Sequence, residues 1–582
     1  MRARRLASRV APVQGEAIDS WLEAMATRMQ LSLGALARQL ELPTESRPLW
    51  RNTLSQKQCD TLAVATGVPP DVLCGMTLSA YDGTALRLDP DSKRPDTTFP
   101  FGPLTWSRYC PDCLNESRGR WQLAWRLGWS FACLRHSLLL ADCCLSCGRR
   151  QRQLLSYGRA PTPTRCRCGA ILTATPTFRF PPDHVIVEAQ RLTFEVIHGG
   201  RVVFGVFATG PFWPQDALRV VRSFANRVLN HPASGDWLRM AISDSREGTS
   251  AGEATVPTFQ GRSTLNDKAP SRAIETAVGV SLAMQILLAL SIGEAGRRAR
   301  RLFYRQSAAT GPTELRSCIG DAPLAAAIML RASEVRLGPE LQLRYRTAVT
   351  VPCVPDLDAG RVRSMAAALP SAMWPAWSAR LLPDLRRTAV ARSTLSCATL
   401  LAGSTIKPAA AASLLGSTVT ANAMNSRLWV LCGSAYWLDI CAALIRLSDY
   451  LDEEGAPIDY GRRRRLDYSA LFNEGYWGDL PSWRYWDGPG NGDSTTAHAR
   501  YYLVGRLMGT SPLSTNVAVE VPRSSARSHA VPSPRARSAD VYAALDVCAE
   551  SFLARLGIDE PVVWHPPLDL IDDLELPESA SK

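Results

Sequence analysis

The sequence predicts a mainly α, multidomain protein with helix-turn-helix modules set around a cysteine-rich block. Three observations predict it. The chain has 582 residues, more than one ordinary domain needs and enough for three to five. Apolar residues recur at helical spacing through most of its length. Between Cys110 and Cys168, four close pairs of soft side chains interrupt that pattern.

The pairs are Cys110-Pro111-Asp112-Cys113, Cys133-Leu134-Arg135-His136, Cys144-Leu145-Ser146-Cys147 and Cys166-Arg167-Cys168. A structural zinc takes four such ligands in a closed tetrahedron, so eight groups predict two zinc ions and a double zinc-finger block. One tight turn can aim both members of a pair at one ion. Gly148 and Gly169 directly follow Cys147 and Cys168 and supply the positive φ such turns use. Sequential pairing gives one ion to Cys110, Cys113, Cys133 and His136, and the other to Cys144, Cys147, Cys166 and Cys168. Interleaved pairing stays open, as does a role for Cys143. With every ligand used, neither metal keeps an open position, and no H-E-x-x-H pattern occurs, so both sites read as structural.

The remaining elements follow in chain order. Residues 1–14 are a basic tail. Within 15–100, Ile18, Trp21, Leu22, Met25 and Met29 predict a helix capped near Asp19 or Ser20. Further helices are expected at 33–40, 55–66 and 69–76, and Gly67 between the last two gives a helix-turn-helix outline, with an ordinary αα-hairpin as the alternative. In the block at 101–180, Trp121, Trp125 and Trp129 lie four apart and predict one helical stripe packed on the first zinc site. Residues 181–240 read as helical with a strand-like 201–207, and 241–271, rich in Ser, Gly and Thr, as a linker. A helical domain is expected over 272–385. Its apolar opening, Ala273 to Ile292, carries Glu275 and Gln285 and reads as a buried helix rather than a membrane span. Met365 to Pro383 reads as the end of that domain.

A second helix-turn-helix is expected within 386–510: Leu395–Leu401, then Pro408–Leu415, a Gly416-Ser417 turn, and Thr418–Trp429. Asn422, Asn425, Ser426 and Arg427 would face out while Val419, Met424 and Leu428 face in. Asparagine suits adenine and arginine suits guanine or phosphate, so this helix predicts contact with double-stranded DNA; a polar solvated face is the alternative. Arg462, Arg463, Arg464 and Arg465 predict phosphate contacts nearby. Residues 511–539 read as a second linker, and 540–582 as a terminal helix and docking tail whose acidic end suits a protein contact.

The formal net charge of +12 fits an anionic partner. Only Lys57, Lys93, Lys268, Lys407 and Lys582 are lysine among 66 basic residues. Arginine forks onto phosphate and guanine edges, although a GC-rich genome gives the same bias. Thiolate zinc sites behind an N-terminus with no long apolar core predict a reducing cytoplasm and no membrane. None of the five lysines follows a glycine, so there is no phosphate loop, and no G-x-S-x-G or G-x-G-x-x-G occurs. The expectation is therefore no enzyme, and no catalytic residue is assigned. The scattered Asp and Glu leave a nuclease or transposase carboxylate site as a further alternative.

The run Arg108-Tyr109-Cys110-Pro111-Asp112-Cys113-Leu114, Trp125, Cys133-Leu134-Arg135-His136 and Cys144-Leu145-Ser146-Cys147-Gly148 resembles the TniQ/TnsD family of transposition target-selection proteins. The family order is a CPxC pair, a tryptophan, CxxH, CPxCG and CxCG. Leu145 stands where proline is usual, which touches a turn and not a ligand. Glu16-Ala17-Ile18-Asp19-Ser20-Trp21-Leu22 resembles the family's E-S-x-x-S-W-L signature, and 365–383 with the arginine run resembles its long actinobacterial members. The resemblance implies a target-site selector that binds DNA, directly or through a CRISPR effector. It also implies recruitment of an AAA+ ATPase of the TniB/TnsC kind and, through it, a transposase. The residues alone support a zinc-containing DNA-binding protein, so a zinc-containing transcription regulator stays as the other reading.

Overall fold

The computed structural model describes residues 5–6, 8–243, 269–303, 322–356, 358–382, 389–472, 492–509 and 539–577. The protein is mainly helical. In chain order come α1 (Ile18–Arg28), α2 (Leu33–Gln39), α3 (Gln56–Thr66), α4 (Pro70–Gly75) and α5 (Pro111–Glu116). A two-stranded hairpin follows, β1 (Ala132–Cys133) and β2 (Leu138–Leu139). Next are α6 (Val185–His198), α7 (Pro214–Asn230), α8 (Ser234–Ser243), α9 (Ala273–Leu287), α10 (Ile292–Phe303) and α11 (Pro323–Ser333). The remainder comprises α12 (Pro339–Arg344), α13 (Ala359–Ala368), α14 (Pro375–Leu381), α15 (Ala389–Leu401), α16 (Pro408–Leu414), α17 (Ala421–Cys432), α18 (Trp437–Glu453), α19 (Tyr460–Arg463), α20 (Gly492–Met508) and α21 (Ala539–Arg555). These form two compact units, the first reaching Gln306 and the second holding nearly everything from Ala326 onward.

In the first unit, α1 to α4 close over a core of Trp21, Leu22, Met25, Leu36, Trp50, Leu62 and Leu73. Ser55 caps α3 in a reciprocal capping box with Gln58, and Gly67 ends it at φ 76°. Pro70 then opens α4 at its first turn. The expected helix-turn-helix outline is therefore present. The expected cap of α1 is not: Ala17 precedes the helix without a side-chain bond. Asp19 and Ser20 are instead buried in contacts with distant residues.

Helix α9 is buried on nearly every face and packs on α7 and α6. That places it in the first unit, so the division falls inside 272–385 rather than in 241–271. Residues 244–268 and 510–538, which hold most of both expected linkers, lie outside the described residues. Among the described residues no helix is long and apolar enough to cross a membrane. The strand-like 201–207 forms no strand. Val202 pairs with Phe212 in an isolated bridge, and Gly205 at φ 52° turns the chain into a 3-10 segment.

In the second unit, α13 to α19 share one core with Trp374, Trp377, Leu395, Leu401, Met424, Leu428, Leu444 and Leu451. The segment 365–382 thus packs inside this unit and ends no domain, because both of its buried tryptophans belong to that core. The tail docks on the same unit. Ile571 is fully buried, Trp377 Nε1 donates to the Pro566 carbonyl at 2.9 Å, and Trp564 meets Trp374 edge-on at 5.6 Å. Arg446 holds Asp573 in the acidic end. The protein contact expected for that end is therefore satisfied within the chain.

Candidate metal centres and the surfaces around them

Cys110 is the N-cap of α5, with Pro111 in the first turn, and its Sγ accepts from Cys113 N at 3.5 Å. Both thiols therefore leave one helix start toward the same point. Cys133 ends β1, and the turn before β2 swings His136 back beside it, with Ser137 at φ 51°. His136 Nδ1 lies 3.2 Å from Cys113 Sγ, 3.5 Å from Cys110 Sγ and 3.6 Å from Cys133 Sγ. In the second group, Cys144 and Cys168 are 3.7 Å apart, and Cys147 and Cys166 are 3.6 Å apart. Four thiolates about 2.3 Å from one tetrahedral ion would sit about 3.8 Å from each other. In each tetrad the ligand atoms lie within 4.8 Å of one another, so the donor sets fit zinc in number, type and spacing.

The pairing is sequential, and Cys143 belongs to neither tetrad. Its carbonyl accepts from Tyr109 Oη at 3.1 Å, and burial pushes its thiol up from the ordinary value. Gly148 and Gly169 take φ 68° and 92°, as the turn chemistry requires. Leu145 is exposed at that turn and displaces no ligand. On the other side of the first tetrad, His136 Nε2 lies 3.0 Å from Glu116 Oε1. A carboxylate there fixes the ring so that Nδ1 faces the metal.

The tryptophans are buried, but no helix carries them. Trp121 precedes a 3-10 turn at Leu123–Arg126, and Trp129 follows it. Apart from the local bonds of that 3-10 turn, the backbone bonds to other segments. Ala17 N donates to the Trp121 carbonyl, Leu123 N to Gly15, and Arg108 N to Trp125. Glycines at 119 and 128 loosen any helix, and the tertiary partners take the remaining groups.

Three clusters behind the tetrads escaped sequence reasoning. Arg108, fully buried, reaches Asp142 at 3.0 Å, the Ser130 carbonyl at 2.6 Å and the Pro270 carbonyl at 2.9 Å. Asp142 also accepts from Ala273 N at the start of α9, which anchors α9 to the block. Glu16 accepts from Ser20 Oγ at 2.7 Å and from Arg120 at 2.6 Å, while Ser20 Oγ accepts from Trp121 N at 2.8 Å. Finally, Asp19 meets Arg51 at 3.0 Å and Arg152 at 2.8 Å, and Arg152 meets Glu23 at 2.7 Å. The one advance signal was the E-x-x-x-S-W-L spacing, in which Glu16 and Ser20 lie one helical turn apart.

In the second unit, α15, α16 and α17 form the expected trihelical arrangement, with Gly416 at φ 60° between the last two. Helix α17 begins at Ala421, capped by Thr420 Oγ1 accepting from Ala423 N. It starts three residues later than expected because Thr420, extended at φ −78° and ψ 153°, is its N-cap. Val419, Met424 and Leu428 face the core; Asn422, Asn425 and Ser426 are exposed and Arg427 is half-buried. The first helix-turn-helix differs in charge: α4 carries Asp71 and no basic residue, a poor face to set against phosphates.

The arginine run is where the structure overturns the expectation of phosphate contact. Arg463 is fully buried, reaching Glu560 at 2.7 Å and the Pro561 carbonyl at 2.7 Å. Arg464 donates to the Ala366 and Leu369 carbonyls at 2.7 and 3.1 Å. Arg462 is exposed but bound to Glu560. Arg465 alone of the four is exposed without an ion pair among the described residues. The run thus clamps the C-terminal tail. Glu560→Ala should cost about 3 kcal/mol, because it leaves Arg463 buried without a carboxylate. A denaturant titration with unchanged midpoint would contradict this.

The fold and sites define a mainly helical protein built around two structural-type Cys/His tetrads, with a helix-turn-helix in its second unit. Residues 7–140 match the TniQ family, so this N-terminal region is similar to a TniQ domain. The match covers α1 to α5, the first tetrad and the hairpin, and ends before Cys144. No curated protein matches the chain. The TniQ domain is associated with transposition target selection.

Proposed function

We propose that this protein selects target sites for transposition by binding double-stranded DNA and recruiting an AAA+ ATPase of the TniB/TnsC kind, which engages the transposase. Two structural zinc ions, held by the eight tetrad residues, brace the first unit. The observation that carries the DNA half is α17. Its inner residues lock it against α15 and α16, while Asn422, Asn425, Ser426 and Arg427 line the side left to solvent. A helix so fixed can lay its first turns in a major groove. The recruitment half rests on the TniQ domain. The chain's part is binding and recruitment, with no bond made or broken.

Sequencing the DNA captured by purified protein would identify the site. On that site, Asn425→Ala and Arg427→Ala should each cost about 1–3 kcal/mol, with little change on random DNA. Neutralising Arg465 should weaken all DNA alike and reduce the salt slope by about one unit. If α17 substitutions leave specific binding intact, the module is a protein-docking platform. Specific DNA binding without capture of an ATPase would favour a zinc-containing transcription regulator.

A further inference from the structure

A cleft of about 580 Å³ opens beside the second tetrad, lined by Glu23 of α1, residues of the 151–163 segment, and Arg165, Cys166, Arg167 and Gly169. Its volume falls in the range of small-molecule sites. Four guanidiniums line it, those of Arg152, Arg159, Arg165 and Arg167, against one carboxylate, that of Glu23.

The floor is already ionically overfull. Arg152, with its side chain 7% exposed, pairs with Asp19 and Glu23 and leaves Nε without an acceptor. Arg51 draws on the same Asp19. Buried Arg126 behind them forms no ion pair among the described residues, and its Nε also lacks an acceptor. Three buried guanidiniums therefore share two carboxylates, and burial with Arg51 beside it pushes Arg126 down to about 9. An excess of buried positive charge is costly unless an anion balances it.

The rim is only lightly engaged. Arg165 gives one bond to the Gly169 carbonyl at 3.1 Å, and Arg167 one weak bond to the Leu154 carbonyl at 3.4 Å. Each guanidinium carries five donors, so most of each fork is left over. Arg159 is exposed with no ion pair among the described residues. Leu154, Leu155, Pro161 and Pro163 add apolar walls. One competing explanation is that the arginines balance the second tetrad, which would carry two negative charges around zinc. Counting the whole cluster, the six guanidiniums of Arg51, Arg126, Arg152, Arg159, Arg165 and Arg167 still exceed Asp19, Glu23 and those two charges by two.

We propose that this cleft binds the phosphate of a nucleotide unit, with the apolar walls receiving the sugar or base. Forked guanidiniums are the side chains best matched to phosphate oxygens. The unit comes from a nucleic-acid strand or from a free nucleotide, which present the same group. The site does not depend on DNA reading by α17, which belongs to the other unit.

The test uses full-length, zinc-loaded protein with a labelled 12-nucleotide single-stranded DNA and with ATP as probes, read by fluorescence anisotropy. The Arg159→Ala/Arg167→Ala variant should bind the strand, or ATP, about tenfold more weakly. Its salt slope for the strand should fall by about 1.4, two phosphate contacts at 0.7 each. Arg363→Ala, at an exposed arginine of the second unit, should leave both readings unchanged. ATP that displaces the strand identifies a free nucleotide as the source; a strand that resists ATP identifies a nucleic acid. Should the double variant lose zinc, Arg159→Ala, which is no neighbour of a ligand in the chain, decides alone through about half that loss, a slope change of about 0.7. Binding of neither probe by the unaltered protein overturns the proposal. So does unchanged affinity and slope in a variant that keeps its zinc.

Discussion

Replacing Cys144 with serine should release one of two bound zinc ions and loosen the first unit around the second tetrad. Serine is a poor zinc ligand, and Cys143 is no substitute: it stands outside the tetrad, with its own carbonyl tied to Tyr109. In isolated zinc fingers metal binding supplies about 10–16 kcal/mol of folding energy. The effect here should be smaller, because the unit also holds a packed core around Trp21 and Leu62. It should still be the largest of any single substitution. Elemental analysis should read two zinc ions in the unaltered protein and one in Cys144→Ser. Two zinc ions in the variant, or none in the parent, would refute the assignment. Acid should strip both metals, since thiolate and neutral imidazole are the ligating forms.

Asp19→Ala should cost about 5 kcal/mol, the upper end for removing one partner of a buried ion pair. Asp19 is fully buried and serves both Arg51 and Arg152. Its loss leaves Arg51 without a carboxylate and Arg152 with Glu23 alone, both almost as deeply buried. Burial alone would raise its pKa, but Arg152, Arg51 and Arg126 outweigh that and hold it well below the usual carboxylate range. The sign follows from linkage. A depressed carboxylate adds stability that is complete above its unfolded value near 3.8 and lost as pH falls through the folded value. The parent should therefore lose stability below about pH 4, and Asp19→Ala should show a shallower acid slope. Glu23 works in the opposite sense, because burial raises it despite Arg152, and it tempers that slope. Equal midpoints for parent and variant in urea at pH 7 would sink this reading.

Much of the fold was legible in the residues. Helices expected at 33–40, 55–66 and 69–76 occur at 33–39, 56–66 and 70–75, because caps, glycine and proline act within a few residues of themselves. The tetrads were legible for the same reason: a turn of two to four residues brings each ligand pair together, whatever the rest of the chain does. The tryptophan spacing misled. Four-residue spacing promises a helical stripe only when the backbone bonds to itself, and here Gly15, Ala17 and Arg108 provide the partners.

What the sequence determined by itself was local: the ligand pairs and their glycine turns, the helix starts and stops, and the inward set Val419, Met424 and Leu428 of α17. What only the tertiary structure decided was the fate of the charges. Arg463 finds Glu560 and Arg152 finds Asp19 and Glu23 across more than 90 residues of chain. Arg108 finds Asp142 across 34. An arginine reads the same in sequence whether it grips phosphate or holds a core together, because its long stem reaches either water or a buried carboxylate. Which it reaches is fixed by desolvation and by partners that only folding brings near.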